Sequence, residues 1–507
     1  MFINRSLIVK PLNMKTSIIP RIQRGCTSLF LGLSVFILSV GSVIADNIVT
    51  NGTTLRVASG TTLVSSTTLT LQNGSTLNNQ GTILLSGNLT NQNVAASNLG
   101  AGTISMAGTA LQIITGQNIF GNLTLNNAAG VNLNGNTSVN GIFTFTNGRL
   151  HLLAYNLTMG TAATVAGPPS ATAFVAATGT GQLRKSFSAV GSFTFPVGDN
   201  IGTAEYTPVT VNFTGGTFGS GNYVGVNLAN LAYPGASGSY INRYWNVTQS
   251  GITGFTCNAT FKYMSADVIG TENLIYCVRI IPTAVDYFSV TNAATDILTA
   301  NGLTQFGTFT GVQQLANKTL NLTARIEGLY IGGGNMRKAQ GVSGNQFPGT
   351  TADQISVELH NSASYANKIF TVNNVNLSTT GTSTITIPGL HSGSYYVTVR
   401  HRNSIETTTA APVSFAGGTI NYSFSSPAQA YGGNLQLMAG GVYAIYSGDV
   451  DQNNAVDTGD MTPVDNDASN YLGGYIVTDV NGDGGIDTAD MTIVDNNGAA
   501  YVTAATP

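Results

Sequence analysis

Charge is what this sequence has least of. Asp, Glu, Lys and Arg together make up 8% of 507 residues, about a third of the usual share. Between Asn47 and Pro169 there is no Asp, Glu or Lys, and only Arg56, Arg149 and His151 could carry a proton. Glycan hydrolases and lyases need paired carboxylates, or a base beside acidic calcium ligands, so that stretch offers no such chemistry. With a net charge of −3, nothing forms a basic face for nucleic acid, and none is expected as a partner. No nucleophile elbow, P-loop, zinc spacing or dinucleotide fingerprint occurs. The one Trp, Trp245, reads as a core anchor. Cysteine is scarce too. Cys26 precedes an apolar run and cannot be a lipoprotein cysteine, which leaves Cys257 and Cys277 either to pair or to be buried as small hydrophobes.

What is present is apolar and turn-rich. Hydrophobic residues account for 42%, with 61 Gly, a composition for repetitive β-structure rather than disorder. Residues 1–45 read as a signal peptide: Lys15, Arg21 and Arg24, the run Leu29–Ile44, and Val43-Ile44-Ala45 as a small-residue cleavage pattern. The run is short for a membrane span and lacks stop-transfer charges, so a secreted or surface protein with no span after cleavage is expected.

The fold expected is mainly β. Residues 46–169 alternate apolar residues with Asn-Gly turns, as in Leu69-Thr70-Leu71-Gln72-Asn73-Gly74 and Val131-Asn132-Leu133-Asn134-Gly135. Such repetition predicts a parallel β-helix-like solenoid, a hairpin meander being the alternative. Gly167-Pro168-Pro169 marks a boundary. Residues 170–316 and 317–446 carry longer alternating strands and predict two antiparallel β-sandwiches, the second immunoglobulin-like. In the latter, Arg400, His401 and Arg402 read as a solvated strand end.

Residues 447–507 are different. From Gly448 to Pro507 the chain holds 11 of its 22 acidic residues and no Lys or Arg. A 30-residue repeat starts at Asp449 and again at Asp479. Oxygen-bearing side chains fall at loop positions 1, 3, 5, 9 and 12: Asp449, Asp451, Asn453, Asp457 and Asp460, then Asp479, Asn481, Asp483, Asp487 and Asp490. Position 7, Ala455 or Gly485, would add a backbone carbonyl. Calcium takes six to eight hard oxygens around one point, and alternate residues of a tight loop can aim them there. Position 6 must turn at positive φ, which suits Gly484 and, next best, Asn454. Val456 and Ile486 at position 8 are expected to pair across the loops. Each loop carries four Asp, so two calcium ions are expected, strongly coupled to folding.

These loops resemble those of the dockerin family, D-x-[DN]-x-[DN]-G-x-[IV]-D-x-x-D, over the last 60 residues or so. The resemblance implies two short exit helices, with Asp460 and Asp490 closing the loops. It also implies a cohesin-like partner, selected through positions 10 and 11, here Thr458-Gly459 and Thr488-Ala489. Two departures stand out: Pro463 lies in the first turns of the first helix, and the Lys/Arg-rich helices of cohesin-binding members are absent. The Gly-Asn-Thr solenoid and sandwich upstream look like surface proteins of the Bacteroidetes type.

The expectation is therefore a non-catalytic, adhesin-like modular protein that binds two calcium ions at its C-terminus. The alternative is a part in polysaccharide degradation, as a glycoside hydrolase or a module binding surface polysaccharide. Its acids would have to come from Asp199, Glu205, Asp267, Glu272, Asp286 and Asp296 in the second domain or Glu327, Asp353, Glu358 and Glu406 in the third, with Glu205 and Glu272 as one pair that could meet in space. An exposed tyrosine row on a sandwich would favour glycan binding.

Overall fold

The computed structural model describes residues 47–507, and Leu29–Leu31, Val35–Ile37 and Ser42–Ala45 as short strands ahead of them. Most of the signal peptide expected over 1–45 lies outside the described residues. Among the described residues no helix is long and apolar enough to cross a membrane.

The chain is mainly β, and residues 48–198 form a parallel solenoid of about seven turns. Each turn uses three short strands, the first being Ile48–Thr50, Thr54–Val57 and Thr62–Ser65. Alternation sends every second side chain inward, so like residues stack from turn to turn. One column runs Leu63, Ile83, Ile104, Leu123 and Phe143 in parallel register, all of them buried. Another runs Ile48, Leu69, Leu89 and Ile114. Corners are closed by neutral amides, which supply donor and acceptor without burying charge. Asn91 Nδ2 donates to Asn118 Oδ1 at 3.1 Å, and Asn127 Nδ2 to Gln112 Oε1 at 2.9 Å. Gly148 shows why glycine recurs in these turns. Its φ is +88°, and a Cβ there would lie 1.7 Å from the Asn127 carbonyl oxygen of the turn beneath.

The solenoid does not end at the expected boundary. Parallel pairing continues from Leu150 to Val175 and from Val175 to Val197. Gly167-Pro168-Pro169 occupies the corner between Thr164–Ala166 and Val175–Ala176, where proline interrupts no ladder hydrogen bond. The last turn then passes into the second domain without a linker. Leu183 pairs antiparallel with Val226 of the long strand Val209–Ala229, which pairs in turn with Tyr240–Lys262. One apolar core runs unbroken from Ile48 to Phe309.

Trp245 is fully buried in that core, its indole N–H donating to the Thr207 carbonyl at 3.3 Å. Cys257 and Cys277 are buried free thiols rather than a disulfide, and burial pushes the Cys257 thiol up to about 12. The third domain has its own core. Its larger sheet includes Thr351–Asn361, Ser364–Ser378, Ser394–His401 and Ser404–Thr408; its smaller one joins Lys318–Thr323 to Thr382–Ile387 and Thr419–Ser423. Two twelve-residue helices complete the chain, α1 (Thr458–Ser469) and α2 (Thr488–Ala499).

Candidate metal centre

The two acidic loops fold as near copies. Asp457 and Asp487 cap α1 and α2, accepting from the Gly459 and Ala489 N–H groups at 2.6 and 2.7 Å. Three residues on, Asp460 and Asp490 reach back to the N–H of those caps at 2.9 and 3.0 Å, completing a capping box. The same two carboxylates turn their other oxygen into the loops. Asp460 Oδ1 accepts from Val450 and Asp451 N–H at 2.6 and 3.0 Å, and Asp490 Oδ1 from Asn481 N–H at 2.9 Å. Positions 3 and 5 each accept from the N–H two residues on: Asp451 from Asn453, Asn453 from Ala455, Asn481 from Asp483 and Asp483 from Gly485. These local turns wind the loop tightly enough to aim its side chains together. Position 6 has the required positive φ, +71° at Asn454 and +83° at Gly484.

Ligand oxygens of Asp449, Asp451 and Asp460 lie within 4.8 Å of one another. Asp449 and Asp479, at position 1, are 1% and 0% exposed. Each uses Oδ2 to accept from the position-6 N–H at 3.2 Å, and each leaves a buried Oδ1 with no hydrogen-bond partner. Burial, with Asp460 close by, pushes the Asp449 carboxyl up to about 7. Burial also raises Asp479 to about 7, with Arg402 opposing and Asp490 adding to the shift. An unpartnered buried carboxylate oxygen costs free energy on its own, and a divalent cation removes that cost.

Val456 and Ile486 enter one small core with Val464, Val480 and Val494, as expected of position 8. The backbone pairing differs from expectation, because the loops do not pair with each other. Ala455 bridges to Thr503 and Gly485 to Gly473, so each loop pairs with the segment just beyond a helix. Pro463 sits inside α1 without ending it. Thr458, Gly459, Thr488 and Ala489 are exposed on the first turns of the helices.

Elsewhere the acids are tied into structural networks. Asp199, Glu205 and Asp267 all converge on the fully buried Arg243, whereas Glu272 accepts from Tyr263 at 2.5 Å. Glu205 and Glu272 therefore serve different partners. The basic cluster expected to be solvated is largely engaged. His401 is buried and bonded to Asp353 at 3.0 Å, and Arg400 pairs with Glu358 and Glu406.

Sequence reasoning missed the residues that the third domain lends to the second loop. Arg402 binds Asp353 at 3.1 Å, lies over the Tyr475 ring at 4.6 Å and brings Nη2 to 3.9 Å from Asp479. Arg337 Nη1 sits 3.2 Å from Asp483 and 3.4 Å from Asn481. Asn403 Nδ2 donates to the Val477 and Asp479 carbonyls at 3.0 and 2.9 Å. No local pattern could announce them, since each acts from over 70 residues away along the chain.

No family model matches the chain, and no curated protein matches it. Among solved structures, it is distantly similar to an N-terminal interface mutant of a type II cohesin–X–dockerin complex from Acetivibrio cellulolyticus. That match has 16% identity and a TM-score of 0.21, and it covers 36% of this chain and 94% of the other. A likeness at that level carries no assignment of site or partner.

Proposed function

We propose that this is a non-catalytic, secreted or surface-held modular protein whose C-terminal module binds two calcium ions. The observation that carries the reading is the matched pair of buried, unpartnered oxygens, Asp449 Oδ1 and Asp479 Oδ1, the first of them within a cluster formed with Asp451 and Asp460. Calcium would be held in one loop by Asp449, Asp451, Asn453, Asp457 and Asp460. The other would use Asp479, Asn481, Asp483, Asp487 and Asp490. A bound ion would offset half of the four carboxylate charges in each loop and fix both helices on the third domain.

The solenoid and its fused sandwich serve as an extended, adhesin-like body. Their few acids are committed to Arg243 and other ion pairs, which favours a structural role over glycoside hydrolysis. Of the partner classes, a protein module of cohesin type suits the surface better than polysaccharide. Thr458, Gly459, Thr488 and Ala489 stand exposed, as do Tyr471 at 93% and Tyr501 at 87%. No flat tyrosine platform supports glycan binding at Tyr365, Tyr396 and Tyr431, which pack edge to face.

Calorimetric titration of the full chain with calcium tests the metal reading. Two equivalents are expected to bind, and Asp449→Ala with Asp479→Ala is expected to abolish both. Unchanged binding in that double variant would overturn the assignment.

A further inference from the structure

The two loops are copies in sequence and capping, yet their surroundings differ. In the first loop, Asp451, Gln452 and Asn453 are exposed, and among the described residues no Lys or Arg pairs with its four acids. In the second loop, Asn481 and Gly482, at positions 3 and 4, are buried against the third domain. Gln340 N–H donates to the Gly482 carbonyl at 3.1 Å, and a Cβ at Gly482 would lie 2.3 Å from Leu329. The same segment delivers Arg337. Its Nη1 lies within 3.4 Å of oxygens at positions 3 and 5, two of the atoms that the loop spacing assigns to the ion. Arg402 adds a second cation 3.9 Å from position 1, held there by Asp353.

We propose that Arg337, supported by Arg402, acts as an internal counter-cation for the second loop, so that the two calcium sites are unequal and fill in order. This rests on the calcium reading above. Each loop carries four Asp, but in the second loop Arg337 offsets one of those charges and Arg402, shared with Asp353, offsets part of another. The first loop, with no such offset, takes its ion more tightly. The second keeps its shape before calcium arrives, because Arg337 and the Gln340–Gly482 bond already hold it. Its ion must then compete with Arg337 for Asp483 and Asn481. Arg337 can leave: its side chain is 36% exposed, whereas Arg402 is 11% exposed and pinned on Asp353. Arrival of the second ion thus frees a charged side chain of the third domain, whereas the first loop meets that domain through a neutral contact, Gln452 Nε2 to the Ser404 carbonyl at 3.4 Å.

The test is calcium titration of the full chain by calorimetry, in wild type, Asp449→Ala, Asp479→Ala and Arg337→Ala. Two steps of unequal affinity are expected, the tighter lost in Asp449→Ala and the weaker in Asp479→Ala. Arg337→Ala is expected to tighten only the weaker step, by about two- to fivefold, the scale of a half-exposed ion pair. Arg337→Gln, which keeps the side chain's length without its charge, should do the same and guards against a folding defect in the alanine variant. Equal affinities in wild type, or a weaker step unmoved or loosened in both Arg337 variants, would overturn the proposal while leaving calcium binding intact. Absence of any calcium heat in wild type would instead remove the reading beneath it.

Discussion

The solenoid and the C-terminal module are both built by repetition, but each repeats a different kind of residue. The solenoid repeats apolar side chains. Leu63, Ile83, Ile104, Leu123 and Phe143 stack with no ion, and neutral Asn and Gln side chains close the corners. The module repeats acids. Its eight loop Asp surround a core of a few valines, and two of them keep a buried oxygen unpaired. A repeat of apolar residues supplies its own stabilisation, whereas a repeat of carboxylates needs a cation from outside. The first region is expected to be indifferent to calcium and the second to depend on it.

The largest expected break between them comes from chelation. With EGTA, α1 should lose amide protection at Val464, and α2 at Val494 to a smaller extent because Arg337 and Gln340 still hold its loop, while Leu123 and Phe143 stay protected by hydrogen exchange. At calcium a hundredfold above both dissociation constants, two sites would contribute about 5 kcal/mol. A module equally protected with and without calcium would erase the contrast. Next in size, Leu123→Ala should cost the solenoid about 3 kcal/mol in denaturant unfolding and leave the calcium heat unchanged. Since the core is continuous, the second domain is expected to unfold with it in one transition.

The smallest effect is in pH. Without calcium, the Asp449 and Asp479 carboxyls sit at about 7, above the value of about 4 in an unfolded chain. Protonation therefore favours the fold. Their contribution is fully present below about pH 4 and is lost as pH rises through about 7. Calcium-free module should melt a few degrees higher at pH 5 than at pH 8, and saturating calcium should reverse that order. The solenoid, with no acid between Asn47 and Pro169, should show neither trend.

The parts legible in sequence were those fixed by local spacing. Alternation and Asn-Gly turns pointed to the solenoid, and in-register acids pointed to both loops, down to positive φ at Asn454 and Gly484. What could not be read depended on where distant residues meet. Pro168-Pro169 looks the same in a linker as in a solenoid corner, and only the pairing of Leu150 with Val175 tells them apart. Arg400, His401 and Arg402 look solvated until Glu358, Glu406 and Asp353 are folded against them. Arg337 belongs to the second loop only through tertiary contact.

The join between the last solenoid turn and the strand Val209–Ala229 bears on how this protein can be cut or shuffled. A fragment starting at residue 170 would present the ladders of Val175 and Leu183 as raw edges, stripped of the turn beneath them. Such edges invite pairing with other chains, so the fragment would be prone to aggregate. The smallest unit to recombine or express therefore holds the solenoid and the second domain together, and neither half of it by itself.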